Sequence, residues 1–155
     1  MGLGKTLQTI AIIYTMLTQG PTGGAAATNA IVICPTSLCL NWANECERWL
    51  PKMLEPVVLT SDAKKDLVQM RLQSFLSASG RRSGKGALLI ISYETASIHI
   101  ETLRRGAFGL IVCDEAHRLK NPKTKLYKAL QPLRSNMRIM VTGTPIQVFH
   151  SCAAR

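Results

Sequence analysis

The sequence predicts a three-layer α/β fold with a mainly parallel sheet, and three observations predict it. Five short runs rich in Ile and Val are bounded by turn residues: Ala30–Cys34, Val57–Thr60, Ala87–Ser92, Leu110–Cys113 and Ile139–Thr142. Apolar runs of that length without polar alternation read as strands buried on both faces. Stretches of helical period lie between them, and such alternation closes into helices on both sides of a sheet through right-handed crossovers. The chemistry-bearing motifs also fall at strand ends that lead into helices, where open parallel sheets keep their sites.

Taken in chain order, a helix runs from the glycines near the N-terminus through about Leu17, and Gly20–Thr28 is a loop of Gly and small residues. After the first strand, Pro35-Thr36-Ser37 is a helix start signal. Leu38, Trp42, Cys46, Trp49 and Leu50 then share one helical face. Past the second strand, Val68, Leu72, Phe75 and Leu76 form another face, ended by Ser79-Gly80. Gly80–Gly86 is the second surface loop, and three strands complete the pattern without an internal repeat.

The 155 residues fit one domain. At this size a fold buries roughly 70% of the surface its unfolded chain exposes, so a real core is possible. A composition 46% hydrophobic and 18% charged excludes an intrinsically disordered chain. No apolar run approaches the roughly 20 residues of a membrane-spanning helix. Nineteen Lys and Arg against nine Asp and Glu give +10, which makes a polyanionic partner plausible. The charge is one-sided: residues 1–63 sum to −1 and residues 64–155 to +11. Between Arg118 and Arg138 lie Lys120, Lys123, Lys125, Lys128 and Arg134 with no acid at all. A solvated face and a nucleic-acid surface both fit that cluster. With eight aromatics in the chain, a base-stacking platform for single strands is a poor fit.

Five cysteines, odd in number and without a C-x-x-C pair, read as free thiols of a reducing compartment. Met1-Gly2-Leu3-Gly4-Lys5-Thr6 matches a myristoylation pattern, and Lys5, Ile10–Leu17 and Ala25–Ala27 imitate a signal peptide. Both patterns are short, and a phosphate-binding reading accounts for the same residues.

Gly2-Leu3-Gly4-Lys5-Thr6 at a helix start is the second half of the phosphate loop G-x-x-x-x-G-K-[ST]; a merely Gly-rich helix start is the alternative. Glycines let backbone N–H groups approach phosphate oxygens, and a helix N-terminus adds positive potential. Lys5 would neutralise the β- and γ-phosphates, and the Thr6 hydroxyl would bind Mg²⁺. About 110 residues on, Leu110-Ile111-Val112-Cys113 runs into Asp114-Glu115-Ala116-His117. An apolar strand ending in Asp-Glu is the Walker B arrangement. Asp114 would hold Mg²⁺ through its shell and Glu115 would polarise the attacking water; an Asp-Glu pair capping the next helix is the alternative. Val141-Thr142-Gly143-Thr144-Pro145-Ile146-Gln147 closes a third strand. Alone it is an ordinary turn. In order and spacing with the other two, its hydroxyls and Gly turn could sense the nucleotide.

This set resembles the helicase-like ATPases of superfamily two, and within them the Swi/Snf-type double-stranded DNA translocases. Motif I is similar to Met1–Thr6, motif II to Asp114–His117 and motif III to Thr142–Gln147. Motif Ia resembles Cys34-Pro35-Thr36-Ser37-Leu38 with Asn41-Trp42 and Glu45, and motif Ib resembles Ile91-Ser92-Tyr93-Glu94. RNA helicases of the DEAD and DEAH classes usually carry Ser-Ala-Thr as motif III, so Thr-Gly-Thr-Pro argues against them. Asn41–Glu45, Leu89–Thr95 and His117–Asn121 look closest to the Rad fifty-four type of recombination-repair motor.

The resemblance covers 1–147 and implies a RecA-like P-loop lobe, the first of a two-lobe motor, with 148–155 as a divergent tail. It implies ATP and Mg²⁺ as ligands, translocation on double-stranded DNA, and a nuclear role in recombinational repair or chromatin remodelling. A RecA-type recombinase or nucleosomes would be partners, with no membrane. Thr36 and Ser37 would touch the DNA backbone, with Ser92 and Tyr93 nearby and Lys120, Lys123 and Lys125 adding phosphate contacts. His117, Thr142, Gly143 and Thr144 would couple nucleotide state to motion. Three departures stand out: the strand and half-loop upstream of Gly2, Val148 in place of the family's Asn, and the second lobe with its arginines. They lead to the expectation of one lobe without turnover of its own, and the alternative is an inactive chain that binds nucleic acid through its basic half. A small P-loop kinase or GTPase is a third reading, without a lid or base-recognition motif to support it.

Overall fold

The computed structural model describes residues 4–20, 23–61, 63–78, 87–119, 121–142 and, as backbone, 147–149. Six strands form one sheet: β1 (Asn29–Cys34), β2 (Val57–Leu59), β3 (Ala87–Ser92), β4 (Ala107–Cys113), β5 (Arg134–Met140) and β6 (Gln147–Phe149). Their order is β2-β3-β1-β4-β5-β6. The first five are parallel, and β6 runs antiparallel to β5 at the edge. Six helices accompany them: α1 (Lys5–Thr18), α2 (Thr36–Trp49), α3 (Lys65–Ala78), α4 (Tyr93–Ile98), α5 (Ile100–Arg104) and α6 (Lys125–Leu130). A 3₁₀ turn spans Ala116–Leu119.

Strand pleating separates two cores. In β1, Ile31 and Ile33 face α3 and the short helices, packing with Leu72, Phe75, Tyr93 and Leu103. Ala30, Val32 and Cys34 face α1 and α2, packing with Ile10, Ile13, Trp42 and Cys46. Both faces of β1 and β3 are therefore buried throughout, which is why their sequences do not alternate. Each full burial of such an aliphatic side chain contributes about 1.5–3 kcal/mol. The three-layer expectation holds.

Four differences have physical causes. β5 starts at Arg134, five residues before the apolar run, because backbone pairing with β4 carries a polar segment along. β6 adds a sixth strand and crosses the expected boundary at 147. The helix face on α2 does not extend to Trp49, which is 45% exposed. Its indole N–H donates to Glu45 Oε2 at 2.7 Å, while the chain turns and buries Leu54 instead. The short helices α4, α5 and α6 carry five or six residues each, too few to show a period. The loop 80–86 lies outside the described residues.

One polar residue joins the start of the sheet. Asn29 is 4% exposed; its amide accepts from Gly109 N–H at 2.8 Å and donates to the Ala107 carbonyl at 3.0 Å. Gly109 is required there, since a Cβ would sit 2.4 Å from the Ala27 methyl. No helix among the described residues is long and apolar enough to cross a membrane.

Candidate functional site

β1 sits centrally, with the chain leaving to β2 and β3 on one side and to β4 and β5 on the other. The strand order reverses between β1 and β4, and the carboxyl ends at such a switch are where open parallel sheets bind ligands. Cys34 and Cys113 end those strands, so Pro35–Ser37 and Asp114–Glu115 emerge side by side.

Asp114 is held on four sides. Its N–H donates to the Ile33 carbonyl at 2.9 Å, and its own carbonyl accepts from the Tyr93 hydroxyl at 2.8 Å. Its carboxylate accepts from Trp42 Nε1 at 2.9 Å on Oδ2 and from the Glu115 N–H at 2.8 Å on Oδ1. Glu115 follows with φ 50°, a left-handed conformation that costs a non-glycine residue about 1–3 kcal/mol. That turn lifts its carboxylate to His117, whose Nδ1 lies 3.0 Å from Oε2. The same turn is pinned by Ala116 N–H to the Val141 carbonyl at 2.9 Å, and Val141 N–H returns to the Cys113 carbonyl at 2.8 Å.

The N-terminus of α1 approaches the same edge. Lys5 Nζ donates to the Thr142 carbonyl at 2.9 Å, across 137 residues of sequence. Thr142 directly follows Val141, so Lys5, motif II and motif III are one backbone step apart. Gly4 has φ 65° ahead of the helix, and among the described residues nothing beyond its chain neighbours lies within 4 Å of where a Cβ would be. This left-handed turn favours Gly at the head of the helix, with Thr6 in its first turn. A helix N-terminus, an ammonium, a hydroxyl and a strand-end carboxylate are a donor set suited to a phosphate with Mg²⁺, which takes one or two carboxylates alongside phosphate oxygens. Lys5 would hold the phosphate side, and Thr6 and Asp114 the metal side. Gly2, Leu3, Gly143 and Thr144 lie outside the described residues.

The residues expected at DNA divide. Ser37 is exposed at the start of α2. Thr36 is half-buried, and its hydroxyl donates to Glu94 Oε2 at 3.0 Å. The other Glu94 oxygen pairs with Arg118 at 3.2 Å, and Arg118 lies 5.4 Å over the Tyr93 ring. Partial burial of Glu94 alone would raise its pKa, but hydrogen bonds from backbone, Thr36 and Arg118 hold it below the usual carboxylate value. Ser92 and Tyr93 are 0% and 1% exposed, which corrects the expectation of a backbone contact from either. Ser92 Oγ instead caps α4 by accepting from Thr95 N–H at 3.0 Å, and Tyr93 is spent on Asp114. Burial drives the Tyr93 hydroxyl well above its ordinary pKa, so it stays a donor.

The basic segment divides too. Lys123, Lys125, Lys128 and Arg134 are exposed. Arg138 is not available: its guanidinium donates to the carbonyls of Leu130, Gln131 and Leu133, closing the end of α6. Lys120 lies outside the described residues. Motif Ib carries Glu94 and motif Ia carries Trp42, but the sequence assigns neither side chain a role, and Trp42 also reads as core.

The fold is that of a RecA-like lobe, and this edge is its candidate nucleotide site. Comparison with known proteins gives its family. A model of the SNF2-related domain matches residues 1–150, and the chain belongs to that family, whose nucleotide is ATP. It is 42% identical over 147 residues to the mouse (Mus musculus) DNA repair and recombination protein RAD54-like, covering 95% of this chain and 19% of that protein. It is 43% identical over 149 residues to the DNA repair protein rhp54 of Schizosaccharomyces pombe, covering 95% of this chain and 17% of the relative. Among solved structures it is similar to the Sulfolobus solfataricus SWI2/SNF2 ATPase core in complex with dsDNA, with TM-score 0.68 and 31% identity over 94% of this chain and 26% of that one. The chain thus spans about a fifth of the length of the curated relatives it matches.

Proposed function

We propose that this chain is the ATP-binding lobe of a DNA-dependent ATPase that moves on double-stranded DNA in recombinational repair or chromatin remodelling in the nucleus. The lobe takes in residues 1–147 and continues through β6. The observation that carries the reading is the bond from Lys5 Nζ to the Thr142 carbonyl beside the Asp114–Glu115 turn. It ties the phosphate loop, the strand-end carboxylates and the third motif to one sheet edge.

In this reading Lys5 and the α1 N-terminus bind the β- and γ-phosphates, and Thr6 and Asp114 take Mg²⁺. The metal, when bound, neutralises charge on the transferred phosphate. Glu115 orients and polarises the attacking water, and His117 holds that carboxylate while coupling it to motion together with Thr142, Gly143 and Thr144. Lys5 leaves the Thr142 carbonyl when phosphate arrives, which gives the third motif a way to register the nucleotide. Ser37, Thr36, Lys120, Lys123 and Lys125 line the path of the duplex backbone. Names of the relatives, with DNA repair and recombination in them, support the repair role.

A second reading, an inactive chain that holds nucleic acid, is favoured only by the exposed lysines around α6. Anisotropy of labelled duplexes of two unrelated sequences tests the DNA side. Equal affinities that fall steeply with salt support the proposal; a marked sequence preference, or no binding at low salt, contradicts it.

A further inference from the structure

We infer that Trp42 is a positioning residue for nucleotide-dependent magnesium binding: its indole N–H fixes the Asp114 carboxylate in the orientation the metal needs. The inference rests on the proposed nucleotide site and deepens it. Trp42 lies on α2, 72 residues before Asp114, and is 1% exposed within the core formed with α1. Its Nε1–H has a single donor direction, and that direction ends on Asp114 Oδ2 at 2.9 Å.

Packing alone would not explain this side chain. A buried Leu or Phe would fill the same face of α2, whereas indole carries a donor that must be satisfied. The carboxylate needs an orienting partner because rotation about its terminal torsion is broad and roughly two-fold. Here Glu115 N–H holds Oδ1 and Trp42 holds Oδ2, so both oxygens are fixed while each keeps a lone pair for a further ligand. Partners of this kind behind a metal ligand are typically worth 10–100-fold in metal affinity.

The helix that carries Trp42 also begins at Thr36, six residues or about 9 Å earlier along its axis. Thr36 is tied to Glu94 and through it to Arg118. A displacement of the α2 N-terminus is therefore delivered to the Asp114 carboxylate by one rigid side chain.

The test compares ADP affinity of the intact chain with Mg²⁺ and with EDTA, in wild type and Trp42→Phe, by calorimetry. Wild type gains affinity from Mg²⁺. Trp42→Phe keeps its EDTA affinity, set by Lys5 and the α1 N-terminus, and its half-maximal Mg²⁺ concentration rises about tenfold. An unchanged Mg²⁺ requirement in Trp42→Phe overturns the inference and leaves the nucleotide site standing. No Mg²⁺ effect in wild type overturns the nucleotide site itself, and the inference with it. Trp49→Phe leaves Trp42 as the one indole and covers the case of a misfolded Trp42→Phe. In that chain Mg²⁺ added to the ADP complex shifts Trp42 emission; emission indifferent to Mg²⁺ overturns the inference.

Discussion

Replacing Lys123, Lys125 and Lys128 together by Ala should weaken duplex binding and flatten its salt dependence by an amount the structure sets. Of the seven bases between Arg118 and Arg138, Arg118 is paired with Glu94 and Arg138 is bound to three carbonyls. The three lysines are exposed, and no acid lies in that stretch to neutralise them. Each phosphate neutralised contributes about 0.9 to the slope of log affinity on log salt, so three contacts account for about 2.7. Between 50 and 200 mM salt that difference amounts to roughly 40-fold in affinity. Anisotropy titrations at four or five salt concentrations measure it directly. Arg138→Ala is the internal comparison, with an unchanged slope and a loss of about 2 kcal/mol of stability from its charged hydrogen bonds. A triple variant with the wild-type slope, or an Arg138→Ala chain with a flattened one, would refute this division of the basic segment.

Other outcomes follow from the same contacts. Glu94→Gln removes the negative charge paired with Arg118, so duplex affinity should rise at low salt and the salt slope should steepen by about one unit; weaker binding would count against it. Asn29→Ala strips the partners from Gly109 N–H and the Ala107 carbonyl, and urea melts should show a loss of about 1–3 kcal/mol; a neutral result would mean the sheet start relaxes freely. His99, bonded through Nδ1 to Gln69, has its pKa lowered below 6.5 by burial and by Lys65. The unfolded chain therefore binds the proton more readily, and stability is present above pH 6.5 and lost as pH falls through the folded value. His99→Asn should flatten that part of a stability–pH curve, which an unchanged curve would deny. Glu115→Gln should keep ADP affinity within about twofold by calorimetry, since Lys5 and Asp114 stay in place and only the carboxylate proposed to polarise water is removed; a larger loss would place Glu115 among the nucleotide-binding groups.

Much of this site was legible because its residues are contiguous. Gly4-Lys5-Thr6 heads a long amphipathic helix, and Asp114-Glu115 ends a strand with no polar residue before it. Their convergence was inferred from motif order, and the bond from Lys5 to Thr142 supplies the contact that spacing could not. The central strands were legible for the same reason as the fold, since burial on both faces leaves an unbroken apolar run. β5 was not, because Arg134-Ser135-Asn136-Met137-Arg138 is polar and held by backbone pairing. Ser92 and Tyr93 are placed near DNA by the motif Ib resemblance alone, which does not show that both are buried, one capping a helix and the other supporting a carbonyl. Trp42 belongs both to the motif Ia match and to the apolar face of α2, so the sequence assigns it no polar contact, and only coordinates reveal where its N–H ends.

The claim on which the account depends is that α1 and β4 build one phosphate site. Calorimetry of ADP with Mg²⁺ against the wild-type chain and Lys5→Ala tests it most directly. Wild type should bind measurably and Lys5→Ala should lose at least tenfold, the scale of a charge-assisted hydrogen bond worth about 1.5–3 kcal/mol. Equal affinity in the two chains would contradict it.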